Sequence, residues 1–190
     1  MKKILVMAIA LMSAVATFSQ FAVESYEKLT AQSWTDGDGN EWKAYVFDNA
    51  QLGACIKVDN YLGKYYHVQL LIANESGVSM TIDPSTMSAS VLKKGKETPL
   101  KVYDHASYVK AITVKHNANN LGAALLGGST SGNLDTRSID KFYVQNKEVV
   151  NGEQYLGMVK LDYKAGDTLV FKMLVLGTEY TFEFNVKGMK

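Results

Sequence analysis

Hydrophobic residues alternate with polar ones in two separate blocks of this chain, and the residues between the runs are those that favour turns. In "YYHVQLLIAN" (65–74), Tyr66, Val68, Leu70 and Ile72 share one face, while His67, Gln69 and Leu71 share the other. That is the period of a half-buried strand, and it puts His67 on the solvent side. "NESG" follows as a turn, with Gly77 free to take a positive φ. Val78, Met80 and Ile82 then alternate up to Pro84, which stops the strand. Upstream, "WKAYVF" (42–47) and "LGACIKV" (52–58) read as two more strands around Asp48 and Asn49. Downstream, Ala89 and Val91 lead into the charged hairpin tip "KKGKE", and "TPLKVY" (98–103) returns.

The second block repeats the pattern. "LGMVKLDY" (156–163), the turn "KAGD", "TLVFKMLVL" (168–176) and "EYTFEFNV" (179–186) predict a three-strand meander. In the last of these, Tyr180, Phe182 and Phe184 alternate with Thr181 and Glu183, so one face is aromatic and packs on a core.

The region between the blocks, about 104–154, has a different pattern. Asp104 is placed to cap a helix on which Tyr108, Val109, Ile112 and His116 follow helical spacing, ending near the Gly127–Gly128 pair. "GGSTSGN" has the composition of a linker. Ile139, Phe142, Tyr143, Asn146, Val149 and Val150, with Asp140 in the first turn, fit a second short helix. These elements predict a mainly β chain, an immunoglobulin-like antiparallel β-sandwich with a helical insertion between its two strand blocks.

The first 19 residues are set apart from this pattern. Lys2 and Lys3 precede an apolar run from Ile4 to Ala16, and small residues follow at Ser13, Ala14, Ala16 and Ser19. This is the layout of a signal peptide, with cleavage expected after Ala16 or Ser19, and the run is shorter than the ~20 residues of a membrane span. The expected domain is therefore 20–190, exported and bacterial, in the periplasm, on the outer surface or outside the cell. It is expected to touch the membrane peripherally at most. Loss of Lys2 and Lys3 takes the formal charge from +1 to −1. With Arg137 the only arginine and no basic block, no nucleic acid is expected. Cys55 is the only cysteine, so no disulfide forms within the chain, which fits a periplasm better than a eukaryotic secretory route. In that compartment Asn74-Glu75-Ser76 is a turn and not a glycosylation site.

The order of signals, "IANESGVSMTIDPSTMSASV", then "KGKETPLKVYDHASYVKAI", then "EQYLGMVKLDYKAGDTLVFKMLVLGTEYTFEFNV", resembles a group of exported proteins of uncharacterised function from Bacteroidetes-type bacteria. The resemblance covers about 65–186. It implies an immunoglobulin-like (telokin-like) sandwich with a helical insertion of variable length, and it implies no catalytic residues. The insertion here is much shorter than in that group and lacks its long aromatic, glycine-rich tracts.

Four constellations carry candidate chemistry. "DGDGNEW" places Asp36, Asp38 and Asn40 at alternate positions, as a calcium loop begins. The loop pattern wants Gly and Glu where Glu41 and Phe47 stand, so the competing reading is a hairpin turn. Cys55, with His67, His105 or His116 as base, would make a nucleophile, but it sits within an apolar strand, where a thiol is a core residue. The histidine spacing matches no zinc motif. Eleven Tyr, seven Phe and two Trp leave room for a sugar-stacking platform, for which Trp34, Trp42, Tyr65 and Tyr66 are the candidates. The resulting expectation is a non-catalytic, cofactor-free binding or structural domain of the cell envelope with a protein or glycan partner. A carbohydrate-binding module and a hydrolase with a spatially assembled site are the alternatives.

Overall fold

The computed structural model describes residues 31–47, 49–60, 63–127, 132, 134 and 141–189. The signal-peptide segment, Asp140, Ile139 and most of the Gly/Ser-rich stretch lie outside these residues. Twelve described strands follow in chain order: β1 (Gln32–Thr35), β2 (Glu41–Phe47), β3 (Ala50–Asp59), β4 (Tyr65–Asn74), β5 (Met80–Ile82), β6 (Ser88–Lys93), β7 (Lys96–Leu100), β8 (Val102–Tyr103), β9 (Lys147–Val149), β10 (Gln154–Asp162), β11 (Thr168–Val175) and β12 (Thr178–Asn185). One long helix, α1 (His105–Leu125), lies between β8 and β9.

The strands form an antiparallel β-sandwich. One sheet has the order β1-β2-β3-β4-β10-β8, the other β12-β11-β6-β7, and the short pair β5-β9 forms a third sheet. The inward alternation of β4 (Tyr66, Val68, Leu70, Ile72) meets that of β11 and β12 (Phe171, Phe182, Phe184) in one apolar core. Each of these side chains is removed from water, worth roughly 1.5–3 kcal/mol apiece. Tyrosines on this face find backbone partners: Tyr45 Oη donates to Thr181 O, and Tyr66 Oη donates to Lys164 O at 2.8 Å. Asn74, the last residue of β4, is fully buried. Its Nδ2 donates to Val78 O and Val149 O, both at 2.8 Å, and its Oδ1 accepts from Ser76 Oγ at 2.7 Å. The "NESG" turn is thus fastened to β9 by the amide that a glycosylation reading would have left in solvent.

Three expectations need correction. The C-terminal strands are not one meander. β10 pairs with β4 and β8 in the six-stranded sheet, while β11 pairs with β12 and β6 in the other. The "KAGD" turn carries the chain across the sandwich, and Gly166 makes this possible. A Cβ there would meet Val91 Cγ1 at 2.7 Å and the Leu92 carbonyl at 3.0 Å. "TPLKVY" likewise splits into β7 and β8, which belong to different sheets. Of the second helix, Lys141 and Phe142 are helical and the residues before them lie outside the described ones, but 147–149 form β9 instead, because Val149 is drawn into the core opposite Met80. Tyr143 lies before it in a parallel bridge to Met158.

The first helix forms as expected. Asp104 caps it by accepting from Ser107 N at 2.7 Å, and Gly127 ends it with φ +72°. Its 21 residues span roughly 31 Å. Among them only Tyr108 and Ile112 are buried, both in the first half.

Candidate functional site

The outer face of the six-stranded sheet is the side that strand periodicity assigns to water, and α1 covers part of it. Register sets its side chains in rows. Lys57, His67, Lys160 and Tyr103 lie side by side across β3, β4, β10 and β8, and Asp59, Tyr65 and Asp162 form the adjoining row. Tyr108 and Ile112 of α1, with Tyr65, Tyr103 and Tyr143, make a second apolar cluster above these rows.

The rings are closely matched. Tyr65 meets Tyr103 and Tyr108 edge to face, with centroids 5.6 and 5.5 Å apart, and Tyr108 stacks on Tyr143 at 5.5 Å. Their hydroxyls are spoken for. Tyr103 Oη donates to Asp162 Oδ1 at 2.7 Å, Tyr143 Oη donates to Tyr103 O at 2.5 Å, and Lys115 Nζ of α1 donates to Tyr65 Oη. Tyr143 is brought here through Val144, whose N–H donates to Met158 O at 2.9 Å. Val144 itself enters the core in the space left by Gly157.

Beneath the rings lies Lys160, only 3% exposed. It forms an ion pair with Asp59, and its ammonium sits 5.7 Å from the centre of the Tyr108 ring. Burial holds its pKa below the usual lysine value, with Asp59 pulling the other way. His67 beside it is not the solvent-facing residue that alternation predicted. It is half-buried, and its enclosed Nε2 has no hydrogen-bond partner among the described residues. Burial, reinforced by Lys160, pushes its pKa down to about 4, so the ring is neutral at pH 7. Burial also raises the phenols of Tyr103 and Tyr143, so both act there as donors rather than bases. The first half of α1 is fastened to this face by the Lys115–Tyr65 hydrogen bond and by the packing of Tyr108 and Ile112 among the rings, while the ion pair and the other phenol hydrogen bonds tie the strands beneath it to one another.

The residues singled out from sequence are distributed differently. Trp34 and Trp42 stack at 5.8 Å with planes 14° apart, packed with Cys55 and Leu71 on this same sheet face. Tyr65 lies beneath α1 and Tyr66 on the opposite face, within the core, both buried. The four rings therefore form no common platform for a sugar. Asp36 is an anchor for its own hairpin. Its carboxylate accepts from Asp38 N, Asn40 N, Asn40 Nδ2 and Trp42 Nε1 at 2.9–3.0 Å. Burial works against the charged form, but these donors outweigh it and hold the pKa at about 2. A carboxylate committed to four N–H donors is poorly disposed to a cation, and the hairpin-turn reading fits the geometry. Among the described residues no group of three His, Cys, Asp or Glu side chains comes together to hold a metal ion. The Cys55 thiol is buried, and burial pushes it up to about 11. His105 and His116 stand on α1, where His105 packs edge-on against Tyr143 and His116 Nε2 lies 2.7 Å from Gly132 O.

Sequence reading missed Lys160, Asp59, Tyr103 and Tyr143. The first two fall on the polar side of an ordinary alternating strand, and nothing local marks them as covered. The available signal was the unusual Tyr content of the insertion and its flanks.

Beyond the cluster, α1 continues into solvent. Leu121, Leu125 and Leu126 are 63%, 79% and 90% exposed. No helix among the described residues is long and apolar enough to cross a membrane. No family model, curated protein or solved structure matches this chain.

Proposed function

We propose that this chain is an exported, non-catalytic cell-envelope protein that works by surface contact, with α1 as its contact element. The observation that carries this reading is the division of the helix. Its first half is clamped to the sandwich by Tyr108, Ile112 and Lys115, while its second half holds leucines in water. Exposed leucines on one rigid element are costly to solubility and mark surfaces that meet a partner. The clamp supports the same reading, since Lys115 Nζ donates to Tyr65 Oη and Tyr108 packs against Tyr65, Tyr103 and Tyr143, which holds the helix on the sandwich.

The test is fractionation of cells producing the chain. The processed protein is expected to begin after Ala16 or Ser19 and to stay with the envelope after osmotic shock. The Leu121→Gln/Leu125→Gln variant is expected in the soluble fraction. A mature chain that still begins at Met1 sinks the export reading, and equal envelope retention of both proteins sinks the role given to α1.

A further inference from the structure

Asn151 and Gly152 lie in the turn between β9 and β10, and theirs is the only Asn-Gly pair in the sequence. The turn closes with Glu153 N donating to Val150 O at 3.0 Å. Gly152 stands at its third position with φ +85°, a backbone that calls for glycine. Asn151 has its own task there, since its Oδ1 accepts from Gly77 N of the "NESG" turn at 2.8 Å. Turn chemistry has therefore set a carboxamide directly before a residue with no side chain to shield its amide nitrogen. Both residues are exposed to water.

That pairing has a reaction of its own, which needs no reagent but water. Gly152 N gives its proton to solvent and attacks Asn151 Cγ. A new N–C bond closes a succinimide ring, the Cγ–Nδ2 bond breaks, and the nitrogen leaves as ammonia with a proton from water. Water then opens the ring at either carbonyl, which leaves aspartate or isoaspartate at 151. No electrons are exchanged.

The fold holds both reacting groups. Gly152 N donates to Asn74 O at 2.6 Å, and the Asn151 carboxamide is held by Gly77 N. Asn74 is fully buried and is itself fixed: its N donates to Glu153 O at 3.0 Å and its Nδ2 to Val78 O and Val149 O. Gly152 must leave Asn74 O before its nitrogen can lose a proton and reach Cγ.

We propose that Asn151 is a site of spontaneous deamidation kept latent by the fold, and that opening of the Gly152–Asn74 hydrogen bond sets its rate. Aspartate at 151 keeps an oxygen for Gly77 N. Isoaspartate places an extra carbon in the main chain ahead of Gly152, which moves its N–H away from Asn74 O and leaves that buried carbonyl without this donor. The fastening of the "NESG" turn to β9 and β10 is then weakened irreversibly, so the modification records how often the turn has opened.

The experiment follows Asn151 by peptide mapping and mass spectrometry in the purified protein and in a synthetic peptide of residues 147–156, both in mildly alkaline buffer. Conversion is expected to be at least about tenfold slower in the protein than in the peptide, and to reach the peptide's rate in urea that unfolds the chain. Hydrogen exchange at Gly152 N measures the same opening independently, and its protection factor is expected to match that retardation within about threefold. Ser76→Ala takes a donor from Asn74 Oδ1 and is expected to speed conversion by at least about threefold. The separated isoaspartate form is expected to melt several degrees below the unmodified chain, and Asn151→Asp to melt close to it. A smaller retardation, a protection factor outside that range, or unchanged conversion in a folded Ser76→Ala overturns the gating by this bond. Unchanged melting of the isoaspartate form overturns the consequence drawn for the turn. Should Ser76→Ala fail to fold, the exchange comparison on the original chain decides.

Discussion

Replacing Asp59 with Asn would leave the Lys160 ammonium under α1 with its charge uncompensated. The side chain of Lys160 is 4% exposed and that of Asp59 27%. Removing one member of a fully enclosed pair costs about 3–5 kcal/mol, because the remaining charge has lost both water and partner. Asp59 keeps some access to water, and the Tyr108 ring retains a weak attraction for the cation, so about 2–3 kcal/mol is expected here. Lys160→Met should be much milder, within about 1 kcal/mol, since methionine fills a similar volume and leaves a carboxylate that can be hydrated. The double variant should resemble Lys160→Met and not the sum of the two. Urea unfolding at pH 7 reads this directly, followed by the fluorescence of the stacked pair Trp34–Trp42 on the same sheet. The pH dependence has a definite sign. The folded state already disfavours the protonated form of Lys160, and more so without Asp59. Raising the pH to about 10 lets the unpaired amine shed its proton, so the Asp59→Asn deficit should shrink. A deficit below about 0.5 kcal/mol at pH 7, or one that grows with alkalinity, would refute the reasoning.

The remaining predictions concern the same face and its supports. The His67 pKa falls from 6.5 in the unfolded chain to about 4 in the fold. The unfolded state therefore binds more protons between these values, and stability drops as pH falls through this window, by up to about 3 kcal/mol. His67→Gln should flatten that part of the pH–stability curve, and identical acid dependence of the two proteins in urea titrations rules the assignment out. A Cβ at Gly157 would meet Val144 Cγ2 at 2.6 Å and the Tyr155 ring at 2.9 Å. Gly157→Ala should thus cost about 1–3 kcal/mol and lower the melting temperature by several degrees. Gly122→Ala, on α1 with nothing within 4 Å, should stabilise the protein by up to about 1 kcal/mol; calorimetry showing the reverse order would count against the packing described.

Much of the fold was legible residue by residue. β4 takes its inward face from Tyr66, Val68, Leu70 and Ile72, as alternation requires, and α1 starts at the cap that Asp104 provides. Pairing partners were less legible. "LGMVKLDY" and "TLVFKMLVL" are neighbours in sequence, yet they lie in different sheets because a close-packed glycine at 166 lets the chain cross. The candidate site was the least legible. Lys160 and His67 occupy polar positions of strands, and the tyrosines that enclose them come from β4, β8, α1 and the segment before β9.

The sequence alone determined which residues could form strands, which face of each is apolar, where the chain must turn, and that a helix starting at Asp104 interrupts the strand pattern. These follow from local sterics and from a two- or 3.6-residue period, which any segment carries within itself. Tertiary structure alone decided which strands became neighbours and that α1 would settle on a polar sheet face. It thereby turned a lysine, an aspartate and a histidine from solvent-side residues into covered ones, and left the leucines of the same helix in water. Both outcomes depend on burial, which belongs to the assembled molecule because the covering atoms come from segments far apart in the chain.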